Sequence, residues 1–387
     1  MRLLHISDLH IGKHVNDFPL IEDQRFMLDR IVEMIGSYNV DALLIAGDIY
    51  DKSSPSAEAV ACVDAFLAAV ADTGAACFAI AGNHDSAERI AYGSRLFAKQ
   101  NVFVSPLYDG AIARHTLRDE YGPVDFWLFP FLKPAHVKPY FPDAEIGSDY
   151  TAAMRAVVDS CPIDRTRRNV AVAHQFVTAC GIDPQRSDSE LSLGGLDNVD
   201  VSVFDPFDYV ALGHIHGPQR IGRDTARYSG SLLKYSASEI RQTKSATLVV
   251  LEEKNAAIGI ESIPLVARRD MRCIRGPLAS LVSDEVKDAL SKRERDDYIH
   301  AVLTDEFTPI DALAQLRAVY PNTMSIAYDR TGVEARADVD ECLPAVEERI
   351  DLAQAFARFY EQRNGSALTE GQRALIARLI EEGAYSR

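Results

Sequence analysis

The sequence has few cysteines, and no two of them are close enough to form a CxxC pair. The six cysteines are spread along the chain: Cys62, Cys77, Cys161, Cys180, Cys273 and Cys342. This distribution argues against both a disulfide framework and a zinc ribbon, since each is built from regularly spaced cysteines. Unpaired cysteines are typical of a reducing compartment, and we therefore expect a cytoplasmic protein.

The sequence also lacks any long apolar run. No stretch of about 18 apolar residues occurs, so we expect no membrane-spanning helix. Residues 1–5 lead directly into a strand-like segment, without the apolar core and cleavage site of a secretory signal. With 47% hydrophobic and 25% charged residues, the composition is that of an ordinary soluble globular protein. Internal repeats and low-complexity tracts are absent as well.

Positive charge is in the minority, and the formal net charge is -16. A protein that coats nucleic acid is usually basic, so this charge argues against a simple DNA-binding protein. The argument is weaker against a nuclease, because bound metal ions or a partner protein can supply local positive charge. Small basic clusters do occur at 165–168 and among Lys133, His136 and Lys138, and solvated loops are the simpler explanation for them.

A chain of 387 residues is too long for one small core, so two or three domains are expected. Residues 1–265 alternate strand-like and helix-like segments, the pattern of βαβ units, and form the first predicted domain. Helices are predicted from Met27 to Tyr38 and after a cap at Ser54, with Pro55 in the first turn. The strand-like segments are short apolar runs, typical of strands buried on both faces: residues 2–6, 42–46, 75–81, 125–131, 169–173, 208–212 and 245–251.

A second pattern of strands and helices begins near residue 270 and predicts a small α+β domain at 266–335. Its predicted strands are 270–275, 298–303 and 323–328, and its predicted helices are 278–292 and 310–320. Metal-ligand motifs are absent from it. Residues 336–387 are predicted to form amphipathic helices, the last of them capped by Thr369 and Gln372. On pattern alone, these helices could pack equally well on their own domain or on a partner protein.

Five short polar segments each follow a strand-like run. They are Asp8-Leu9-His10, Gly47-Asp48, Gly82-Asn83-His84-Asp85, His174 and Gly213-His214-Ile215-His216. Because strand C-termini in an α/β sheet converge on one crevice, we expect these side chains to meet there. Asp8 and His10 alternate along an extended segment and therefore share one side of it, as do His214 and His216.

The chemistry of these segments predicts a site for two metal ions. Carboxylate, imidazole and amide ligands without a thiolate suit divalent metals such as manganese, iron or zinc. Two cations about 3.5–4 Å apart need a bridging carboxylate, and Asp48 is the natural candidate. Such a pair lowers the pKa of a shared water, and the resulting hydroxide can attack phosphorus while the cations stabilise charge on the phosphoryl oxygens.

Each segment is a weak signal on its own. An Asp-x-His pair is more often a strand-end turn, and a single histidine such as His174 is more often structural. The glycine-led turn that carries Asn83 and His84 is less common, and all five segments in this order make coincidence improbable. Of the histidines that match no ligand position, His14 is the best candidate for a phosphate contact. These histidines are His5, His14, His115, His136 and His300.

Together, the five segments resemble the signature of the calcineurin-like metallophosphoesterases. The resemblance implies a β-sandwich flanked by helices. The two implied ligand sets are Asp8, His10, Asp48 and His216 for one metal ion, and Asp48, Asn83, His174 and His214 for the other. His84 would not be a ligand but a general acid or charge stabiliser near the leaving oxygen. Asp85 would orient His84 or its loop.

Longer stretches are similar to the bacterial SbcD family, which is related to the Mre-type DNA repair nucleases. They are SDLHIGK, GDIYD followed by SPSAEAV, FDPFDYVALGHIHGPQ, YSGSLLKYSASE and, near the C-terminus, AFARFYEQRNGSALTEGQ. The similarity implies manganese-dependent exonuclease activity on double-stranded DNA ends and endonuclease activity on hairpins and single strands. The implied setting is DNA repair, recombination and replication.

The same similarity implies partners. An SbcC-like coiled-coil ATPase would bind the chain, and residues 336–387 would dock on it, which favours docking over packing on their own domain. The family resemblance also implies a homodimer formed through the phosphoesterase domain. Residues 266–335 would be a capping domain.

Two other interpretations remain open. A phosphomonoesterase or a cyclic nucleotide phosphodiesterase of the same superfamily would use the same metal site. Neither enzyme needs the added domain, the terminal helices or the YSGSLLKYSASE segment. A non-catalytic scaffold for an ATPase is expected to have lost metal ligands, whereas the full set is present here.

Overall fold

The computed structural model describes residues 1–179, 181–190 and 197–329, together with residues 369, 371 and 372. Two six-stranded sheets pack face to face as a sandwich, and helices cover the outer faces. Residues 271–328 add a separate three-stranded sheet with its own helices. This architecture confirms the predicted α/β sandwich and the small α+β addition.

The strands follow the apolar runs of the sequence closely. In the described residues they are β1 (Arg2–Ile6), β2 (His14–Val15), β3 (Phe18–Pro19), β4 (Ala42–Ile45), β5 (Ala76–Ala79), β6 (Val102–Val104), β7 (Ala113–Asp119), β8 (Gly122–Phe129), β9 (Arg168–His174), β10 (Phe176–Thr178), β11 (Asn198–Asp200), β12 (Tyr209–Gly213), β13 (Gln219–Ile221), β14 (Arg223–Tyr228), β15 (Ser245–Val250), β16 (Gly259–Pro264), β17 (Met271–Gly276), β18 (Tyr298–Leu303) and β19 (Thr323–Tyr328).

In the same described residues the α-helices are fewer, and most of them are short. They are α1 (Ile21–Ser37), α2 (Ala57–Asp72), α3 (Ala87–Ala91), α4 (Ser94–Phe97), α5 (Pro134–Val137), α6 (Tyr150–Ser160), α7 (Leu278–Leu281), α8 (Asp284–Ala289), α9 (Lys292–Asp296) and α10 (Ala312–Val319). In the described part of the chain, no helix has both the length and the apolar character needed to cross a bilayer.

The strand order brings the C-terminal ends of the central strands to one edge. The first sheet has the order β16-β15-β1-β4-β5-β6, and its strands β1, β4, β5 and β6 run parallel. The second sheet has the order β13-β14-β12-β9-β8-β7, with β8, β9, β12 and β14 parallel. Parallel neighbours of this kind end side by side, so the loops that follow them are also neighbours.

Large apolar side chains fill the space between the two sheets. Phe78 of the first sheet stacks on Phe126 of the second, with ring centroids 4.2 Å apart. Both rings are fully buried, and burial of one such side chain stabilises the fold by about 1.5–3 kcal/mol. On the outer faces, Met27 and Ile31 of α1 pack on the first sheet, whereas α6 packs on the second.

Two helix predictions need correction. The second helix begins after Ser56, not Ser54, because the Ser56 side chain accepts the N–H of Ala59. The single helix predicted at 278–292 is wrong, since this segment contains the separate helices α7 and α8, and α9 begins at its end. Ser283 and Ser291 each cap the next helix, so each serine interrupts the backbone bonds of a continuous helix.

The small sheet is a parallel β17-β18-β19 array with its own core, to which Ile299, Leu303 and Leu316 contribute. Asp23 of α1 contacts this region, because its Oδ2 accepts from the Tyr298 hydroxyl at 2.7 Å and from Arg269 at 2.8 Å. The groups of potential metal ligands found among the described residues lie elsewhere. The predicted domain limits at 265 and 335 stay predictions.

The helices predicted within 336–387 lie almost entirely outside the described residues. Thr369 and Gln372 are described, and they form the predicted capping box. The Thr369 N–H donates to Gln372 Oε1 at 2.9 Å, and the Gln372 N–H donates to Thr369 Oγ1 at 3.4 Å.

Candidate metal centre

The loops after β1 and β4 are joined by backbone hydrogen bonds. The Asp8 N–H donates to the carbonyl oxygen of Gly47 at 3.1 Å, and the His10 N–H donates to that of Asp48 at 2.9 Å. These two bonds hold the loop after β1 beside the loop after β4. The side chains of Asp8, His10 and Asp48 are consequently buried in one pocket at the edge of the first sheet.

The second sheet supplies His174 and His214 to the same pocket. His174 is the last residue of β9 and lies opposite Gly213, the last residue of β12. Its Nδ1 is 2.8 Å from the carbonyl oxygen of Ala46 in the first sheet. Since a carbonyl only accepts, Nδ1 carries a proton in either charge state of the ring, and Nε2 faces the pocket.

The structure brings all the predicted site residues together. Within 4.8 Å of one another lie ligand atoms of three groups: Asp8, His10 and His216; Asp8, Asp48 and His174; and His10, Asp48 and His84. The two remaining predicted ligands, Asn83 and His214, lie beside these groups. Asn83 Oδ1 is 2.9 Å from His174 Nε2 and 3.0 Å from His214 Nδ1. The expected crevice at the strand ends is therefore present.

The spacing and chemistry of these atoms fit metal ions. Ligand atoms about 2.1 Å from one cation lie about 3 Å apart at right angles. His10 Nε2 is 3.1 Å from His216 Nε2, and the Asn83 distances are similar. His10 Nδ1 is buried and has no hydrogen-bond partner among the described residues.

Four of the predicted ligands have strained backbone conformations. Positive φ angles occur at Asp8 (51°), His10 (45°), Asp48 (49°) and His214 (105°). For residues other than glycine, such angles cost on the order of 1–3 kcal/mol each. The surrounding fold must compensate this cost, and the strained conformations turn four polar side chains towards one point.

Two glycines allow the close approach of these loops. A Cβ atom at Gly82 would lie 2.1 Å from Asp48 Oδ1, and one at Gly213 would lie 1.8 Å from the carbonyl oxygen of Ala46. Both distances are far below contact, so a side chain at either position would displace the backbone or a predicted ligand. The glycines that begin the Gly-Asn-His-Asp and Gly-His-Ile-His segments are thus steric requirements.

The electrostatics of the pocket favour bound cations. Burial opposes ionisation of Asp48, but the charge of His174 holds the pKa of Asp48 well below its usual range. Burial raises the pKa of Asp8 and lowers the pKa of His214 to about 3. A cation would favour the ionised Asp8, and a neutral His214 keeps a lone pair for it.

Asp85 connects its own loop, which follows β5, with the loop after β4. Among the described residues, it forms no hydrogen bond with the His84 ring. Its carboxylate accepts the N–H groups of Ile49 at 3.0 Å, Tyr50 at 2.9 Å and Gly82 at 2.9 Å. Burial raises the pKa of Asp85 to about 6, with a further contribution from the charge of Asp48. The His84 ring instead has its Nδ1 2.9 Å from the carbonyl oxygen of Asp51.

Several supporting residues were missed by the sequence argument. Gln24 of α1 donates to the carbonyl oxygen of His10 at 2.7 Å, and Glu190 and Glu239 both contact His216. Gln24 offered no signal, because it is an ordinary helix residue in sequence. Glu239 belongs to the YSGSLLKYSASE segment, which was recognised as a resemblance without a role for any of its residues.

Comparisons with known proteins agree with this geometry. The model of the calcineurin-like phosphoesterase family matches residues 1–218. The model described as the type 5 capsule protein repressor C-terminal domain matches residues 267–364. The SbcD subunit of the nuclease SbcCD from Staphylococcus saprophyticus is 31% identical over 393 residues, covering 99% of this chain and 100% of the relative.

Solved structures give more distant likenesses. A dimetal phosphatase from Danio rerio has a TM-score of 0.41 and 12% identity, with 69% of this chain and 96% of that chain covered. A protein from Thermus thermophilus has a TM-score of 0.39 and 14% identity, with 67% and 98% covered.

The family match over residues 1–218, together with the sandwich and its pocket, defines a calcineurin-like phosphoesterase, which is a hydrolase. Within that class, the chain belongs to the SbcD family, the nuclease subunits of SbcCD. The expected family resemblance is thereby confirmed.

Proposed function

We propose that the chain is the nuclease subunit of an SbcCD-type complex and hydrolyses phosphodiester bonds in DNA. It acts as an exonuclease on double-stranded ends and as an endonuclease on hairpins and single strands, in DNA repair, recombination and replication. One observation carries the proposal: the full set of potential ligands converges with His84 at one edge of the sandwich. The similarity of the chain to the Staphylococcus relative, a nuclease subunit, supports it.

The pocket would hold two divalent cations, which we propose to be Mn²⁺. The proposed ligand sets are Asp8, His10, Asp48 and His216 for one ion, and Asp48, Asn83, His174 and His214 for the other. Asp48 suits the bridging position, because its Oδ2 lies 3.7 Å from His10 Nε2 and 3.3 Å from His174 Nε2. When bound, the cations would lower the pKa of a water and balance charge on the phosphoryl oxygens.

His84 is proposed as the general acid or charge stabiliser at the leaving oxygen. It is half-buried, and its ring centroid lies 4.7 Å from that of His10. With Nδ1–H donated to Asp51, Nε2 is left to exchange a proton with substrate. Asp85 is proposed to hold the loops of Asp48 and His84 together through its three backbone contacts.

Substitution of His84 by alanine tests this role. We expect the variant to keep both metal ions and to lose about 10²–10⁴-fold in turnover, the usual contribution of a general acid. Metal content and DNA cleavage would be measured on the same preparation. A variant that digests DNA as fast as the wild type would remove His84 from the mechanism.

Substrate class is tested by comparing two compounds in the presence of Mn²⁺. The proposal expects cleavage of a hairpin duplex and of blocked double-stranded ends, with little turnover of a chromogenic phosphate monoester. Turnover of the monoester alone would instead indicate a small-molecule phosphatase of the same family.

An SbcC-like coiled-coil ATPase is the proposed partner, with residues 336–387 as the docking segment and residues 266–335 as a capping domain. The ATPase would supply much of the positive charge that the chain, at -16, does not provide for DNA. Co-purification of the full chain with the ATPase tests this, with a chain ending at residue 335 as the control. Equal capture of both chains would contradict the docking role.

A second copy of the chain is proposed to bind beside α2. Four apolar side chains are exposed there, Val60 (46%), Tyr92 (82%), Leu96 (66%) and Phe97 (38%), and they line one groove. Clustered exposure of this kind is typical of an interface. We expect Leu96→Asp to shift the chain from dimer to monomer in light scattering. Phe307→Asp, which changes an equally apolar side chain that is 79% exposed outside this groove, should not.

We propose a cytoplasmic location. Within the described residues, Cys62, Cys77 and Cys161 are free thiols. A reducing compartment keeps thiols in this state. Labelling of the chain with a thiol reagent in intact and lysed cells would test the location, because a secreted chain would be oxidised or labelled without lysis.

A further inference from the structure

A buried pair of opposite charges lies directly behind His216. Glu239 is fully buried, and Lys244 is 5% exposed. The Lys244 ammonium donates to Glu239 Oε2 at 2.6 Å, and Glu239 Oε1 lies 3.1 Å from His216 Nδ1. The three side chains therefore form a continuous line from the ammonium to the imidazole ring.

This line determines which ring nitrogen of His216 carries the proton. A carboxylate only accepts, so His216 Nδ1 must donate its proton to Glu239. The lone pair is then on Nε2, and Nε2 is the atom that lies 3.1 Å from His10 Nε2 in the pocket. A carboxylate behind a ligating histidine commonly fixes both ring orientation and tautomer in this way.

The backbone of the same residue is held as well. The His216 N–H donates to Glu190 Oε1 at 2.5 Å, and the His216 carbonyl oxygen accepts from the Lys244 ammonium at 2.9 Å. Lys244 also donates to Ser231 Oγ at 2.9 Å. One ammonium thus contacts the carboxylate behind the ring and the backbone of the residue that carries the ring.

Stability alone is a poor explanation for this arrangement. Burial of two charges costs several kcal/mol per ion, and a buried ion pair is often no more stable than apolar side chains of similar volume. Placement behind one nitrogen of one predicted ligand is a better explanation. It also assigns a role to the YSGSLLKYSASE segment, which contains Glu239 but none of the predicted ligands.

We propose that Glu239 and Lys244 are positioning residues that hold His216 with its Nε2 lone pair directed at the metal it shares with Asp8 and His10. The inference rests on the proposed two-metal function. Glu239 orients the ring, and Lys244 holds the Glu239 carboxylate in place. Neither residue contacts the substrate or belongs to the ligand sets, so both act through His216.

The first test is a calorimetric titration of the full-length, metal-free protein with Mn²⁺. We expect Glu239→Gln to weaken one of the two sites by about 10- to 100-fold, the usual effect of losing the partner of a ligating histidine, and to leave the other site unchanged. Asp125→Asn is the matched control, because Asp125 is also buried and paired, with Arg167 at 3.1 Å. This control should bind both ions as the wild type does.

The second test needs neither a Glu239 variant nor a metal, and it remains informative if Glu239→Gln does not fold. Nitrogen NMR of ¹⁵N-histidine-labelled wild type in alkaline buffer reports which nitrogen of each neutral ring is protonated. The His216 signals would be assigned as those absent from His216→Gln. We expect Nδ1–H for His216, and an Nε2–H ring would overturn the inference.

The outcomes separate the inference from the proposed function. Tight binding of two Mn²⁺ ions by Glu239→Gln overturns the positioning role alone, and the proposed nuclease function is unaffected. Failure of the wild type to bind two ions overturns both. A selective loss at one site, together with Nδ1–H in the wild type, supports both.

Discussion

The two halves of the proposed metal centre differ in how completely the protein encloses them. The closed half consists of Asp8, His10 and His216, which are 0%, 1% and 2% exposed. The open half consists of Asn83, His174 and His214, of which Asn83 is exposed and His214 is half-buried. Among the residues that the structure describes, a charged pair lies behind a ring of the closed half and behind none of the open half.

This difference indicates that the two halves meet different requirements of a phosphoesterase, which must bind metal ions and admit a phosphate group. Enclosed ligands that are held by buried neighbours, as His216 is by Glu239, form a preorganised site that binds an ion with little rearrangement. Exposed ligands leave room for a phosphate group to bind, and they are in contact with solvent until it does. We therefore expect the closed half to bind its ion more tightly than the open half.

Asp48 belongs to both halves, so its removal should produce the largest effect. We expect Asp48→Ala to bind neither ion tightly and to lose at least about 10³-fold in DNA cleavage, the scale of losing a key electrostatic group. Metal content by mass spectrometry and Mn²⁺-dependent cleavage would be measured together. Asp64→Ala, at an exposed position of α2, is the control, and two ions in Asp48→Ala would contradict the bridge.

The next largest effect is expected at Gly213, where the two sheets come together beside His174. Gly213→Ala would bring a Cβ atom to 1.8 Å from the carbonyl oxygen of Ala46, whereas Gly217→Ala meets nothing nearer than a flexible glutamine side chain at 3.3 Å. We expect Gly213→Ala to lower the free energy of unfolding by about 2–4 kcal/mol, as overpacking of a core does. Thermal unfolding of both variants measures this, and equal stability would mean that the loops can separate at no cost.

Removal of one histidine from each half sharpens the comparison directly. His216→Ala should abolish the tighter of the two Mn²⁺ sites, and His214→Ala should abolish the weaker one. Because an ion bound at 100 times its Kd stabilises the folded state by about 2.7 kcal/mol, Mn²⁺ should raise the Tm of His214→Ala more than that of His216→Ala. The reverse order would show that enclosure does not determine affinity.

The smallest expected effect lies outside both halves. Arg168 donates to Asp119 at 2.9 Å, and this contact holds the pKa of Asp119 well below its usual range. We expect Asp119→Asn to cost about 1–2 kcal/mol at neutral pH, because the neutral amide can still accept from the largely buried Arg168 but no longer balances its charge, and to bind Mn²⁺ normally.

The pH dependence of that cost has a definite sign. A carboxylate whose pKa is lowered on folding stabilises the protein above its unfolded pKa of about 3.9, and the stabilisation is lost as the pH falls through the lower folded value. The stability difference between wild type and Asp119→Asn should therefore shrink in acid. A difference that stays constant down to low pH would contradict the ion-pair explanation.

The sequence predicted the parts of the structure that depend on local pattern. Asp8, Asp48 and His174 were found because each follows a buried strand, and parallel strands end at a common edge. The start of α2 was missed by two residues, because Ser54 and Ser56 both satisfy the cap pattern and only the folded loop selects Ser56. Ser283 and Ser291 likewise divided a helix that apolar spacing alone made continuous.

The residues that support the proposed metal ligands could not be predicted from the sequence. Glu190 and Glu239 are 26 and 23 residues from His216 in the chain, and no periodicity joins them to it. Their contact follows from the packing of two single-turn 3₁₀ helices, Asp188–Glu190 and Ala237–Glu239, that are far from His216 in the chain. The motifs therefore predicted the proposed ligands, whereas the residues that hold His216 in place become apparent only in the folded structure.

The hydrogen bond from His174 to Ala46, at 2.8 Å, makes one imidazole sensitive to the separation of the two sheets. A shift of either sheet by a fraction of an ångström would rotate the ring and withdraw its Nε2 from Asn83 and Asp48. Substitutions that loosen the hydrophobic interior far from the pocket should therefore reduce activity at temperatures where the chain is still folded. The geometry of the pocket thus depends on the packing of the whole sandwich.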